Sequence, residues 1–407
     1  MGTDTSAVPS KWRLAKLLGL TVAGGAVAFF AGVDARRAIA GIEASPVPLV
    51  ARNGAVVTGP AAIDSLLVSD PAEVRNPRLV DWSRATLRKG ALNTQALRIF
   101  GYAMGVQNNP PAEARAMTLA SSVSRRDVLS ELWLIEDQVS RGNIKGALER
   151  YNIALQTSAV AHKLLFARLS AALEDAEIRH AFAGLIRERP VWLPAFVSAA
   201  INGQDDLEYL ERSIAEAGGL PDTPEFKTLE PLLLQKLAAT GRFAAARRFF
   251  ATIDGAKPAI LSQPGLTIDT VDPRYVPFTW EPGADPLVSA VFEPAGTDRA
   301  VVRVSTAFGG HGRALRRLLL LAPGAYKFNL QQQLVQASPN TVYQWSIICG
   351  SETKPLQTWN GTSADFVIPE TCAAQTIELS VSGVESQSGA EILISDLSIR
   401  PMGSGGK

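Results

Sequence analysis

The chain has 407 residues, and its 40 Lys and Arg against 39 Asp and Glu leave a formal net charge of +1. That balance gives no electrostatic reason to expect a nucleic-acid partner. Hydrophobic residues at 46% and charged residues at 19% exclude a disordered chain, and the length allows two or three domains.

The first predicted element is Leu17–Val33, a run without charge that Leu14 and Ala15 lengthen. As a helix it is near the short end of what crosses roughly 30 Å of hydrocarbon. Lys11, Arg13 and Lys16 stand before it against Asp4 alone, whereas Asp34 and Glu43 balance Arg36 and Arg37 after it. The positive-inside bias then makes 1–13 a cytoplasmic tail and 14–33 a single-pass anchor in the inner membrane. The bulk of the chain is placed in the periplasm. A competing reading is a signal peptide, because Ala38-Ile39-Ala40 has the small-x-small form of a cleavage site. Secretion after a cut near Ala40 would follow.

Residues 34–76 read as a linker broken by Pro46, Pro48, Pro60 and Pro71, with room for one short helix near Ala61–Val68. From 77 to 256 the apolar residues recur with helical period. Their breaks are short and polar: Asn108-Asn109-Pro110-Pro111, Arg141-Gly142-Asn143, Glu188-Arg189-Pro190, Asn202-Gly203 and Gly218-Gly219-Leu220-Pro221. Short breaks imply antiparallel neighbours, and a series of such pairs is an α-solenoid. His162 and His180 stand alone and read as surface or groove residues. Trp133, Trp192 and Phe196 read as core packing, and Glu131, Glu136, Arg125, Arg126, Arg247 and Arg248 as solvated helix faces.

Residues 257–276 read as a second linker, and 277–403 as a β-sandwich. Its candidate strands are Phe278–Trp280, Leu287–Phe292, Ala300–Ser305, Arg316–Leu321, Gly324–Gln331, Thr341–Cys349, Ala364–Val367, Gln375–Val381 and Ala390–Ile399. Alternation puts Tyr343, Trp345, Ile347 and Cys349 on one face. On the oxidising side of a membrane the only cysteines, Cys349 and Cys372, are expected to pair and close a loop worth about 3 kcal/mol. Two cysteines without a nearby histidine make no zinc set, so neither metal nor cofactor is expected.

Two helical segments resemble the tetratricopeptide repeat: Leu134-x7-Gly142-x4-Ala147-x3-Tyr151 and Leu237-x3-Gly241-x4-Ala246-x3-Phe250. In that pattern the glycine turns the chain, the alanine lets helices approach, and the aromatic fills the groove. Glu131, Ile135 and Gln138 depart from it, so the repeats are degenerate. Phe278-x-Trp280, Leu321-x-Pro323-Gly324-x-Tyr326, Trp345-x3-Cys349 and Phe366-x-Ile368-Pro369-x2-Cys372-x2-Gln375 resemble a C-terminal domain found after helical repeats in bacterial envelope proteins, many associated with exopolysaccharide biosynthesis. The domain also looks like the galactose-binding-like jelly rolls, an analogy of fold class that carries no binding residues.

A pyranose needs an aromatic face beside planar polar side chains. Trp359 and Asn360, in a turn-like segment, with Asp365 beyond, are the first candidates, followed by Trp280 and Tyr343. Gly309-Gly310-His311-Gly312-Arg313 reads as a hairpin loop with cations that could meet an anionic glycan. No catalytic spacing or paired carboxylate marks an enzyme. The reading reached is a membrane-anchored scaffold or accessory protein for exopolysaccharide synthesis or export. Envelope proteins would bind the helical repeats, and polysaccharide the β-domain. The alternatives are a peptide-binding envelope assembly factor without glycan binding and, after it, a novel carbohydrate-active enzyme.

Overall fold

The computed structural model describes residues 49–50, 56–57, 64, 73, 75–203, 207–307, 309–337, 341–350, 352–383 and 389–402. The tail 1–13, the anchor 14–33, the site near Ala40 and most of 34–76 lie outside the described residues. Among the described residues no helix is long and apolar enough to cross a membrane. The chain divides into two compact units, Met1–Asp205 and Asp206–Lys407.

In the first unit, β1 (Leu49–Val50) and β2 (Val56–Val57) pair antiparallel. Eight helices follow among the described residues: α1 Pro77–Lys89, α2 Thr94–Val106, α3 Pro110–Val123, α4 Val128–Ser140, α5 Ile144–Thr157, α6 Ala159–Ala172, α7 Ala176–Glu188 and α8 Leu193–Asn202. Each packs on its neighbour through α6, while α5 also meets α7 and α6 meets α8, as stacked helical pairs do. Asn108 at φ 57° and Gly142 at φ 70° are left-handed residues that end α2 and α4. The next N–H then reaches back five residues, Asn109 to Met104 O and Asn143 to Gln138 O, satisfying a carbonyl the helix end leaves free. Ala147 and Tyr151 are buried between helices. Trp192 and Phe196 form an aromatic cluster with Phe166 and Phe182, and Trp133 donates to Glu113 at 2.8 Å.

One polar group overturns the expectation of solvated faces. Glu131 is fully buried, bonded by Ser121 Oγ and 3.6 Å from Arg150. Arg98, also buried, bridges Asp64 and Asp127. Helical periodicity reports which face is apolar, but a charged residue on that face can stay if a partner across the helix pair neutralises it. His162 stacks on Phe166 and bonds the Leu155 carbonyl at 2.9 Å.

Glu136 on α4 is only partly buried, yet loss of hydration pushes its pKa from 4.5 to about 7, against the opposing attraction of Arg168. Between those values the folded chain holds a proton that the unfolded chain has released. Its stabilising contribution is therefore complete below about pH 4.5 and lost as pH rises through about 7. Comparing thermal midpoints of wild type and Glu136→Gln across this window should show the wild type gaining relative to the variant on acidification. A constant difference would exclude this assignment.

The second unit begins with α9 Leu207–Ala217, α10 Pro224–Ala239 and α11 Phe243–Phe250. Gly241, at φ 75°, caps α10 in the same way as Gly142, and Ala246 is buried. Phe250 sets its ring edge against Tyr275 and Phe278, each 5.5 Å away, rather than into a following helix. That contact explains why helices expected to close the repeat array belong to the compact unit of the β-sandwich. Arg248 is exposed, as expected of a solvated face, and donates to the fully buried Glu211 at 2.7 Å.

Residues 257–276 are not a free tether. Ile260, Leu261, Leu266, Thr270 and Tyr275 are buried, and three short 3-10 turns carry the chain across the sandwich. Then come β3 Glu281–Pro282, β4 Val288–Pro294, β5 Ala300–Thr306, β6 His311–Leu319, β7 Gly324–Gln336, β8 Val342–Cys349, β9 Pro355–Asn360, β10 Ser363–Ile368, β11 Gln375–Ser382 and β12 Ala390–Pro401. They form two five-stranded antiparallel sheets among the described residues, ordered β10-β7-β12-β5-β4 and β3-β6-β11-β8-β9. The inward residues of both make one core around Trp280, Phe328, Trp345, Trp359 and Phe366. The N-terminal part of the described chain is helical and the C-terminal part is a β-sandwich. Cys349 and Cys372 are joined as a disulfide with Cα atoms 5.5 Å apart.

Candidate functional site

The residues proposed for sugar contact do not converge. Trp359 lies on β9 opposite Trp345, 9% exposed, with its ring 5.0 Å from Phe328 and stacked on Phe366. It is a core residue and not an exposed platform. Trp280 is 1% exposed, donates to Gly265 O at 3.2 Å and sets its ring at 75° to Trp345. Tyr343 also points inward, partly buried against the core, and its hydroxyl has no hydrogen-bond partner among the described residues. Burial, reinforced by Glu391, pushes that phenol up.

Asn360 and Asp365 are both exposed, but on opposite outer surfaces. Asn360 ends β9, an edge of one sheet, and Asp365 lies on β10, an edge of the other. The chain changes sheets at Gly361, whose φ of 102° suits glycine at so abrupt a corner. On its own face Asp365 lies beside Lys327, which in turn faces Arg400.

What Asn360 does join is a polar surface across the other sheet. Strand register aligns Arg313 of β6, Ser380 of β11, Gln344 of β8 and Asn360 of β9 in one transverse row. At the usual strand spacing of about 4.8 Å the row runs roughly 14 Å. The next row is Glu281, Arg316, Glu378, Ser346 and Thr358. Within it Arg316 donates to Glu281 at 2.5 Å, and Glu378 lies 3.7 Å from Arg313. Gln344 and Asn360 are exposed, while Arg313 is partly covered. Its Nε is buried without a hydrogen-bond partner among the described residues. Such a surface carries amide, hydroxyl and guanidinium groups, which together donate and accept hydrogen bonds in the plane of the sheet.

Sequence reasoning noted Arg313 only as part of a loop, whereas His311–Arg313 open β6. It passed over Gln344 and Ser380. Their signal was present: Gln344 and Ser346 are the outward phase of the alternation that places Tyr343, Trp345 and Ile347 inward.

No family model matches the chain, and no curated protein matches it. Solved structures share distant likeness. The crystal structure of accessory secretory protein 1, 2 and 3 in Streptococcus pneumoniae is 12% identical, over 30% of this chain and 92% of that one, with a TM-score of 0.22. A structure of carbohydrate-binding modules from the β-sandwich superfamily is 14% identical, over 30% and 56%, with a TM-score of 0.23. The CBM22-1–GH10 modules of a Clostridium thermocellum endo-1,4-β-D-xylanase, complexed with xylohexaose, are 17% identical, over 36% and 29%, with a TM-score of 0.23. This chain thus spans about half of the second and under a third of the third, and is similar to each only as far as those figures go.

Proposed function

We propose that this chain is a non-catalytic scaffold or accessory protein that holds a polysaccharide on the outer face of the β3-β6-β11-β8-β9 sheet. The observation carrying the reading is the row of Arg313, Ser380, Gln344 and Asn360, in register across four strands. A polymer of hydroxylated rings laid along such a row meets planar donors and acceptors at successive strands. Because the rings of Trp280, Trp345 and Trp359 all face the core, recognition here works through hydrogen bonds rather than stacking. In this proposal the stretch 14–33 anchors the protein with its bulk outside the cytoplasm, and the helical pairs of 77–203 dock envelope proteins engaged in exopolysaccharide synthesis or export.

Retention on native affinity gels containing the cell's own polysaccharide tests the binding face. Gln344→Ala combined with Asn360→Ala should lower retention about tenfold, the effect of losing two exposed hydrogen bonds of about 0.7 kcal/mol each. Asp365→Ala, on the opposite sheet, should leave it unchanged. Equal retention for all three proteins would sink the assignment. Trp359→Ala is unsuitable as a probe, because it opens a cavity in the core.

A further inference from the structure

Strand β7 is longer than the strand beside it. β10 pairs with Gly324–Asn329, and the last bond on that side runs from the Leu330 N–H to Thr362 O at 2.9 Å. From Gln331 to Gln336 the strand is paired with β12 on one side only, and no strand among the described residues flanks the other. All six side chains are exposed, with Leu334 at 59% and Val335 at 50%. Proteins ordinarily guard such an edge with charge or proline. The segment Leu330-Gln331-Gln332-Gln333-Leu334-Val335-Gln336-Ala337 carries neither. Its register with β12 shifts twice, at Val335 and at Leu330.

We propose that Gln331–Gln336 is a self-association edge, where a second copy of this chain adds the same segment antiparallel about a two-fold axis at Gln333. The charge pattern selects this occupant. In an isologous pair each residue near the axis faces its own symmetry mate or a close neighbour, so a charge there meets a like charge. None is present, and Lys327, the nearest charged residue before the segment, is six positions from the axis. Centring on Gln333 pairs Gln331–Val335 of the two copies, five of the six free residues. Gln332 then opposes Leu334, and Gln331 opposes Val335. The two Gln333 amides can each donate to the other's oxygen. Five residues a side cover less than the roughly 800 Å² per partner of a standard interface, so the dimer is weak and concentration-dependent.

Sedimentation of the purified full chain in detergent over a concentration series should show a monomer–dimer equilibrium. Gln333→Lys and Gln333→Glu should each weaken it at least tenfold with unchanged thermal midpoints, and an equimolar mixture of the two should associate again. In Gln333→Cys the two thiols face each other across a pair whose Cα atoms are about 4.5–5.5 Å apart, within disulfide range. Because Cys349 and Cys372 are already joined, an intermolecular disulfide in that variant reports this edge. A wild type that stays monomeric overturns the proposal, as does dimerisation undiminished by either charge or failure of the mixture to associate. Monomers that pair only with a strand of another protein overturn it too, by assigning the edge to a different occupant.

Discussion

Replacing Arg317 by Met should cost the second unit about 3–5 kcal/mol, enough to abolish much of its stability. Arg317 is fully buried on β6, facing the core opposite Ile377. Its Nε donates to Phe278 O at 2.8 Å, Nη2 to Ile260 O at 2.5 Å and Nη1 to Gly265 O at 3.4 Å, while its guanidinium lies 5.8 Å from the Trp280 ring. Burial pushes its pKa down to about 9, so it remains charged at neutral pH. The carbonyls it holds belong to the stretch that crosses the sandwich between α11 and β3. Methionine matches the stem but offers no donor. Gly265 O keeps bonds from Thr270 and Trp280, whereas the carbonyls of Phe278 and Ile260 lose their Arg317 donors, at about 1–3 kcal/mol each. Replacing a buried ion by an apolar residue can be neutral when its partner is replaced as well, but backbone carbonyls cannot be. Arg317→Lys, with one compact donor group, should fall between. Urea unfolding followed through tryptophan fluorescence, to which Trp280, Trp345 and Trp359 of this unit contribute, reads the effect. An unfolding free energy within about 0.5 kcal/mol of wild type, on the order of a surface substitution, would falsify the clamp.

Arg317 also shows where sequence and structure part. Helix limits were legible because the breaks carry their own chemistry: Asn108, Gly142, Gly218 and Gly241 accept positive φ, and prolines at 110 and 224 open the next helices. Alternation in β8 showed which side chains face inward. Neither signal reports what lies across the core. Arg316-Arg317 looks like a surface pair until residues 260–278, distant in sequence, place three carbonyls above one of them. Glu131 and Glu211 were hidden for the same reason, their partners Arg150 and Arg248 lying on other helices. β9 went unread because Pro355 and Asn360-Gly361 resemble turn punctuation on both sides of it. Its partner β8 supplies the order that its own residues do not declare. Asn360 and Asp365, five residues apart, were separated by a change of sheet that composition does not mark.

Reducing the Cys349–Cys372 disulfide should lower the stability of the second unit by about 3 kcal/mol. The cysteines are 23 residues apart in sequence and enclose β9 and β10, the segment that passes from one sheet to the other. Without the bond the unfolded chain regains the freedom of that loop, while the folded chain keeps its ladders. Neighbouring bonds hold the same corner. Gly350 N–H donates to Ala374 O at 2.7 Å, and the buried Gln375 bridges Leu321 N–H at 2.9 Å and Cys372 O at 2.9 Å. The fold should therefore survive reduction, with a thermal midpoint about 6–12 °C lower for a unit of this size. Cys349→Ala combined with Cys372→Ala should reproduce the reduced protein. Equal midpoints with and without reductant would remove the disulfide from the account of stability. The same bond tests the proposed location, since a pair maintained by an oxidising compartment should resist thiol labelling in intact cells. Labelling of both cysteines in folded protein within the cell would place this unit on the reducing side and overturn the orientation proposed for the anchor.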